Sequence, residues 1–443
     1  MMAENIVRKK VGVISLGCDK NRVDTEKALA ILKTRFELVS DPEQAQIIMI
    51  NTCAFLGSSR KEAIEEILYA VSLKQSGSVE KIIVTGCLPQ KFINEIFNEL
   101  IEVDAFLGIS DYSKILSVIE RIYRGERVKE IGEPINEACI NRVLTTDGYA
   151  YLKIADGCNN HCTYCLIPKI RGKYRSIPKE KLIEEAKNLG EVKELILVAQ
   201  DLTRYGQDLE NKSSLVQLIR ELSALRNVLG IRLLYCYPES ITDELIHEFS
   251  VNPKLIRYID VPLQHADDSV LKRMGRKGTC ADYLELIKKL RESVKGIAIR
   301  STFITGFPGE TEEAFNNLLN FLQMAKLDNA GFFKYSREKD TPAYLLDGQI
   351  KEGVKTLRLK KLYSTQKKIS KQNNKDLRLN KSFKVLAEGF DYDQMIYYGR
   401  AYFNAPDVDG KIYFFSSEPV VYGGHVDVKI TSVTAYDLYG ERQ

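Results

Sequence analysis

The chain has 443 residues, a formal charge of +4 and an apolar fraction of 44%, so two or three domains with real cores are expected, and the nearly balanced charge names no class of partner. Nine cysteines, an odd number, do not read as a secreted disulfide framework. No apolar run reaches the roughly 18 residues of a membrane span, so the expectation is a soluble, reduced, cytoplasmic protein with no membrane partner.

Residues 9–140 read as a first domain. Apolar runs at 10–16, 46–51 and 81–85 predict strands, and the patterns at 24–33, 60–73 and 91–100 predict helices. Continuous apolar strands joined by connections of helical length suit a parallel α/β sheet covered on both faces. A cysteine follows each of these strands at once: Cys18, Cys53 and Cys87. Parallel strands all end on one side of a sheet, where ligands bind. The three thiols should therefore converge although they are far apart in the chain. The pattern predicts a three-thiolate site, one ligand short of four; the alternative is three half-buried core cysteines. Gly17 and Gly86, just before two of them, permit a tight turn.

Residues 145–345 read as a second domain. Residues 149–154 lead into Asp156-Gly157-Cys158-Asn159-Asn160-His161-Cys162-Thr163-Tyr164-Cys165, a C-x3-C-x2-C run. Three thiolates this close can hold three irons of a cubane cluster and leave the fourth open to a reactant; an incomplete zinc site or inert reduced cysteines are the alternatives. Strands are predicted at 194–199, 230–235, 257–261, 296–304 and 330–335, with helices at 179–188, 214–224, 243–249, 268–274, 281–292 and 312–326. A full eight-unit barrel usually needs about 250 residues, so a partial (β/α)6 barrel fits better.

Polar or glycine-bearing elements fall at the predicted strand ends: Gln200-Asp201, Tyr235-Cys236-Tyr237-Pro238, Pro262-Leu263-Gln264-His265, and Thr305-Gly306-Phe307-Pro308-Gly309-Glu310-Thr311. Gly306 and Gly309 let the backbone approach a ligand, and Glu310 and Thr311 are placed to cap the next helix. His161 is expected to be exposed or beside the cluster rather than an iron ligand. His265 is either a pocket residue or a satisfied core histidine, and His247 carries no special signal. The cations of Arg171-Gly172-Lys173-Tyr174-Arg175 either meet a carboxylate or phosphate or are solvated. Cys139, Cys236 and Cys280 read as small apolar residues.

Residues 346–378 read as a basic linker helix carrying Lys355, Arg358, Lys360, Lys361, Lys367, Lys368, Lys371 and Lys375. Its charge means a solvated face or, alternatively, an RNA-facing one. Residues 379–443 turn to alternating patterns, and five short strands suggest a small antiparallel β-barrel. From residue 381 onward, six Lys/Arg stand against nine Asp/Glu, a balance of −3. That sign repels a phosphate backbone and steers a cationic protein.

The Cys158–Cys165 run resembles the signature of radical S-adenosylmethionine enzymes, and the whole chain resembles the methylthiotransferases among them. The resemblance implies an N-terminal domain holding an auxiliary cluster through Cys18, Cys53 and Cys87. It implies a radical barrel whose cluster is held by the catalytic Cys158, Cys162 and Cys165, and a TRAM barrel at the end of the chain. Two [4Fe-4S] clusters and S-adenosyl-L-methionine are the implied cofactors, with Tyr164, Gln200, Gly306, Phe307, Pro308 and Gly309 at the latter. The run from Leu16-Gly17-Cys18-Asp19-Lys20-Asn21 to Val23-Asp24-Thr25-Glu26 is similar to the branch that methylthiolates an aspartate of ribosomal protein uS12. So are Gln200-Asp201-Leu202-Thr203-Arg204-Tyr205-Gly206 and Ala405-Pro406-Asp407-Val408-Asp409-Gly410. The tRNA-modifying relatives usually carry a glutamine and a methionine near the first cysteine. One departure is Ser176-Ile177, where many relatives have Ser-Arg. The resemblance implies C–H methylthiolation at the aspartate β-carbon, with the ribosomal protein, a low-potential electron donor and a sulfur donor as partners. The rival readings are 2-methylthiolation of a tRNA adenosine and a non-enzymatic iron–sulfur scaffold.

Overall fold

The computed structural model describes residues 8–135, 141–210 and 212–443. Cys139, expected to be a small apolar residue, lies outside them. The chain forms two compact units. The first holds the described residues up to 145 with 155–160 and 165–189; the second holds 146–154, 161–164 and 190–443.

In the first unit the elements run β1 (Lys10–Ser15), α1 (Asp19–Leu32), β2 (Glu37–Val39), β3 (Ile47–Thr52), α2 (Gly57–Gln75), β4 (Lys81–Gly86), α3 (Cys87–Glu99), β5 (Ala105–Leu107), α4 (Ile115–Tyr123) and β6 (Val128–Glu130). They build a six-stranded sheet in the order β2-β1-β3-β4-β5-β6, parallel at every pairing. Side chains alternate across a strand, and both faces of this sheet are covered. Ile47 and Met49 pack with Ala28 and Leu32 of α1 and with Ile115 and Val118 of α4. Ile48 and Ile50 pack on the other side with Ala63 and Ile67 of α2 and with Ile93 and Ile96 of α3. This is why β3 is an unbroken apolar run before its polar end. β2, β5 and β6 span three residues each, too short to show a pattern, and none of them is among the predicted strands.

Next in the chain come β7 (Tyr149–Lys153), which belongs to the second unit, and then β8 (Ala155–Asp156), α5 (Ile167–Arg171), β9 (Arg175–Ser176) and α6 (Lys179–Asn188), which belong to the first. β8 and β9 pair antiparallel, Asp156 opposite Arg175.

The second unit continues with β10 (Glu194–Val198), α7 (Leu215–Ser223), β11 (Ile231–Leu233), α8 (Asp243–Val251), β12 (Leu255–Asp260), α9 (Asp268–Arg273), α10 (Cys280–Ser293), β13 (Ala298–Thr305), α11 (Glu312–Ala325) and β14 (Asn329–Lys334). Six strands lie in chain order, β14-β13-β12-β11-β10-β7, all parallel. This is the expected partial (β/α)6 arrangement, with β7 and β14 as its two edges.

α12 (Glu352–Leu377) is the basic segment, a helix as expected. It is packed along β14, where Tyr363 Oη donates to the Phe332 carbonyl and Lys355 Nζ to the Tyr335 carbonyl. The helix covers the edge strand, which otherwise presents unpaired backbone groups. Lys355 and Arg358 are buried, whereas Lys360, Lys361, Lys367, Lys368, Lys371 and Lys375 are exposed. The charge reading therefore holds for the outer face only.

The last strands, β15 (Ser382–Asp391), β16 (Ile396–Arg400), β17 (Ile412–Phe415), β18 (His425–Val433) and β19 (Leu438–Arg442), form a closed barrel. It is not wholly antiparallel: β17 and β19 pair in parallel. Strand direction cannot alternate all the way round a ring with an odd number of strands, so one pairing must be parallel. Buried ion pairs fasten this barrel to the amino ends of the parallel strands. Glu194 accepts from Arg232 Nε and Arg400 Nη1, each at 2.5 Å. Asp409 accepts from Tyr258 Oη at 2.7 Å and pairs with Arg300. Burial opposes the charge on Glu194, but the two guanidiniums outweigh it and hold its pKa down at about 2.

Candidate functional site

The first candidate site is the carboxyl edge of the first sheet. Cys18 caps the start of α1, Cys53 lies between β3 and α2, and Cys87 is the first residue of α3. β1, β3 and β4 are adjacent strands, although β2 intervenes in the chain between the first two. In the order 2-1-3-4-5 the crevice at the β1/β3 switch point is where ligands bind, and Cys18 and Cys53 follow those two strands. A Cβ on Gly17 would lie 2.7 Å from Cys53 Cβ and 3.2 Å from its Sγ, so Gly17 (φ +91°) is what lets the loops meet. Gly86 (φ +97°) plays the same part before Cys87, since a Cβ there would lie 2.3 Å from Asn51 Oδ1.

Two polar residues organise these loops. Asn21 Nδ2 donates to the carbonyls of Leu16 and Thr52, both at 3.0 Å, and so ties the Cys18 loop to the Cys53 loop. Its Oδ1 faces Cys87 Sγ at 3.8 Å and accepts from Arg171 Nη2 at 2.5 Å. Arg171 is 1% exposed; its Nη1 donates to Asp156 Oδ2 at 2.7 Å and lies 3.5 Å from Asp24 Oδ2. Its Nη2 also donates to Cys87 Sγ at 3.7 Å. Arg171 thus meets carboxylates and a thiol rather than solvent. The following residues place Glu26 against Arg142 and Thr145, and Thr25 against Ser15 and Asn51. The Asp24-Thr25-Glu26 motif is therefore a buried polar network. Ile177, at the point of departure noted above, is fully buried.

Burial pushes the Cys53 thiol up, and it pushes Cys87 up to about 12. Metal must displace these protons to bind. Cys18 is exposed, Cys53 half-buried and Cys87 buried, and none is in a disulfide. Among the described residues no three Cys, His, Asp or Glu groups close on a single ion. The donor set gathered at this edge is sulfur, which suits iron–sulfur ligation.

The second candidate site is the Cys158–Cys165 loop. In the first unit, Cys158 is buried, its N–H donates to the Gly172 carbonyl, and its Sγ accepts from the Asn160 N–H. Gly157 (φ +75°) sits so close to the Lys173 carbonyl that a Cβ would lie 2.1 Å from it. In the second unit, the Thr163 N–H donates to the Met274 carbonyl, and the Thr163 carbonyl accepts from the Ala343 N–H. Tyr164 meets Phe307 edge-on with ring centres 6.4 Å apart. Tyr237 lies beside Cys162, and burial pushes its hydroxyl up. Arg276 stacks 3.9 Å over the Tyr237 ring and donates to the Pro262 carbonyl. Tyr237 and Arg276 were not among the predicted site residues; the only signal for Tyr237 was its place at a strand end.

The predicted strand ends do lie together at the carboxyl side of the second sheet. Asp201 is fully buried and accepts from Thr203 Oγ1. Tyr235 and Gln264 hold positive φ, 64° and 72°, just after β11 and β12. Thr311 caps α11 by accepting from the Ala314 N–H, as expected. Glu310 does not cap. It is buried and accepts from the Gly306 N–H at 2.7 Å, Thr305 Oγ1 at 3.0 Å and Arg358 Nη1 at 2.7 Å. His265 is fully buried; its Nδ1 accepts from the Asp267 N–H and its Nε2 lies 3.3 Å from a Glu310 carboxylate oxygen. Burial opposes charge on Glu310, and its contacts with His265 outweigh that and lower its pKa. The space beside Gly306 is taken by the Lys355 stem, and that beside Gly309 by the Arg273 guanidinium. Phe307 is fully buried, and the Pro308 carbonyl accepts from Arg273 Nε. His161 is exposed, Cys236 is fully buried and Cys280 is half-buried at the start of α10.

Three stretches match known families: residues 10–108 match Uncharacterized protein family UPF0004, 152–322 the Radical SAM superfamily and 381–442 the TRAM domain. The chain is 47% identical over 443 residues to the ribosomal protein uS12 methylthiotransferase RimO of Clostridium botulinum (strain Eklund 17B / Type B), covering 98% of each chain. It is 46% identical over 448 residues to the RimO of Acetivibrio thermocellus, again over 98% of each. Among solved structures it resembles the radical S-adenosylmethionine methyltransferase TsrM from Kitasatospora setae (TM-score 0.56, 14% identity, 76% of this chain and 77% of that one). It also resembles the cobalamin-dependent radical enzyme OxsB (TM-score 0.53, 14% identity, 76% and 55%). At those identities the likeness is one of fold.

Proposed function

Because the chain belongs to the RimO family of ribosomal protein uS12 methylthiotransferases, we propose that it inserts a methylthio group at the β-carbon of an aspartate of uS12. The observation that carries this reading is the gathering of Cys18, Cys53 and Cys87 on one sheet edge in a chain that separately bears a C-x3-C-x2-C loop. Cys158, Cys162 and Cys165 would ligate one [4Fe-4S] cluster, and Cys18, Cys53 and Cys87 a second. When bound, the clusters and S-adenosyl-L-methionine supply the electron, the hydrogen-abstracting radical, the sulfur and the methyl group.

The chain's own part is placement and electrostatics. Each cysteine set leaves one position without a protein thiolate. Tyr164, set against Phe307, and the Gly306-Phe307-Pro308-Gly309 turn would line the cofactor side of the radical site, with Gln200 on a neighbouring strand end. Glu310 supports that turn by accepting from the Gly306 N–H. Tyr237, beside Cys162, and Arg276 stacked on it place a polar group and a cation near this thiol. The acidic balance of the last barrel favours a basic ribosomal protein over tRNA, and the inward use of Lys355 and Arg358 weakens the case for an RNA-reading helix. A cytoplasmic setting, with a low-potential reductant and a sulfur donor as partners, follows from the same reading.

The test uses anaerobically reconstituted protein with dithionite, S-adenosyl-L-methionine and purified uS12. Mass spectrometry should find one added SCH2 unit on one aspartate, with 5′-deoxyadenosine released. Cofactor cleavage with uS12 unmodified and tRNA methylthiolated would overturn the uS12 assignment. No cleavage in cluster-replete protein would overturn the radical chemistry.

A further inference from the structure

Arg171 stands out among the buried groups that the proposed chemistry does not use. It is one of the largest fully buried side chains among the described residues, with 1% exposure. A guanidinium in that position needs compensation, and its anions are Asp156 at 2.7 Å and Asp24 at 3.5 Å. Its remaining N–H groups point at Asn21 Oδ1 (2.5 Å) and Cys87 Sγ (3.7 Å). Asn21 in turn spans the loops that lead to Cys18 and Cys53, and Asp156 stands two residues before Cys158.

We infer that Arg171 is a positioning residue that sets the reduction potential of the cluster held by Cys18, Cys53 and Cys87, through a charge-assisted hydrogen bond to the Cys87 sulfur. This inference rests on the reading of those three cysteines as an iron–sulfur site. Ligation removes the proton from Cys87 and leaves its sulfur as an acceptor. Arg171 then donates to it from a site closed to water, where charge is poorly screened. Hydrogen bonds to cluster sulfurs, net local charge and solvent exposure are the levers by which a protein moves an iron–sulfur potential. A fixed cation favours the reduced, more negative state, so it raises the potential. The two aspartates hold the guanidinium in place, and Asn21 links its position to all three cysteine loops.

The experiment isolates this cluster in the full-length chain by changing Cys158, Cys162 and Cys165 to Ala. After anaerobic reconstitution, EPR-monitored redox titration gives its midpoint potential in the parent, in Arg171→Lys and in Arg171→Gln, with the exposed Arg35→Gln as control. At equal iron and sulfide content the midpoint should become more negative from parent to Arg171→Lys to Arg171→Gln, with altered g values, while Arg35→Gln matches the parent. Lysine keeps the charge but loses the planar fork, so it decides the question alone if Arg171→Gln does not fold. Unchanged midpoints and spectra would overturn the inference while leaving the cluster assignment standing. Loss of iron from variants that keep the parent's far-UV circular dichroism would overturn it in favour of a purely structural role. A parent that binds no iron–sulfur cluster would instead overturn the cysteine assignment on which it rests.

Discussion

Asn21 shows how much a single side chain does at the first site. It closes three loops with hydrogen bonds to Leu16, Thr52 and Arg171. Asn21→Ala leaves the Thr52 carbonyl and the Arg171 guanidinium short of a buried partner, at roughly 1–3 kcal/mol per orphaned group. We expect lower urea stability and reduced iron retention at this site, with the C-x3-C-x2-C loop still loading iron; both are measurable by denaturation and iron assay. The two cysteine sets should separate by function. Alanine at Cys158, Cys162 or Cys165 is expected to abolish release of 5′-deoxyadenosine. Alanine at Cys18, Cys53 or Cys87 should leave that release intact and stop sulfur insertion, as chromatography of the nucleoside and mass spectrometry of uS12 will report. A variant of the second set that still methylthiolates uS12 would remove the auxiliary role. The cysteines were legible because spacing and strand ends are written in one dimension. Arg171 was visible only as one of several cations after the loop, with its partners Asn21, Asp24 and Cys87 far away in the chain.

At the scale of elements, α1 and α12 show where periodicity fails. The helix predicted from residue 24 begins at Asp19, because its first turns bury Lys20, Asn21, Asp24, Thr25, Glu26 and Lys27, with Val23 the one apolar residue among them before Ala28 and Leu32. An apolar stripe is the usual signal of a buried helical face, and here ion pairs and amides replace it. α12 buries Lys355, Arg358, Gln366, Ser370 and Asn374 in the same way. Its anchor is Arg358, which donates to both the carbonyl and a carboxylate oxygen of Glu310. Arg358→Ala removes the guanidinium paired with buried Glu310 and leaves it the Gly306 N–H, Thr305 Oγ1 and His265, a loss of about 3–5 kcal/mol. Guanidinium denaturation should show that loss, and because Glu310 also holds the Gly306 N–H, affinity for S-adenosyl-L-methionine should fall with it in calorimetric titration.

At the scale of the whole molecule, the second unit carries its β-barrel on the Glu194 and Asp409 ion pairs. Glu194 has a folded pKa of about 2 against an ordinary 4.5. A depressed carboxylate stabilises the fold fully above the ordinary value, and that stability is lost as the pH falls through the folded value. The contribution is on the order of 3 kcal/mol. The transition of the second unit in scanning calorimetry should therefore drop steeply between pH 4.5 and 2. Glu194→Gln should be less stable at neutral pH by about 3–5 kcal/mol, with buried Arg232 losing its carboxylate and Arg400 left with Glu388, and should lose most of that acid dependence. A variant with the parent's pH profile would show that the barrel is held by other contacts.

Sequence alone determined the kinds of layer in this protein. Unbroken apolar strands call for sheets covered on both faces, strict alternation calls for a barrel, and the cysteine positions call for two sets of three thiols. Local pattern carries that information because each of these features repeats within a few residues. Tertiary structure decided what no local pattern holds: that β1, β3 and β4 stand side by side, that β17 meets β19 in parallel, and that a basic segment is a packed edge cover. It also decided that Arg171 is a buried partner of Cys87. The physical reason is the same in each case. A charge in the chain reads as solvated until its counter-charge is brought beside it, and those partners come from distant strands and helices.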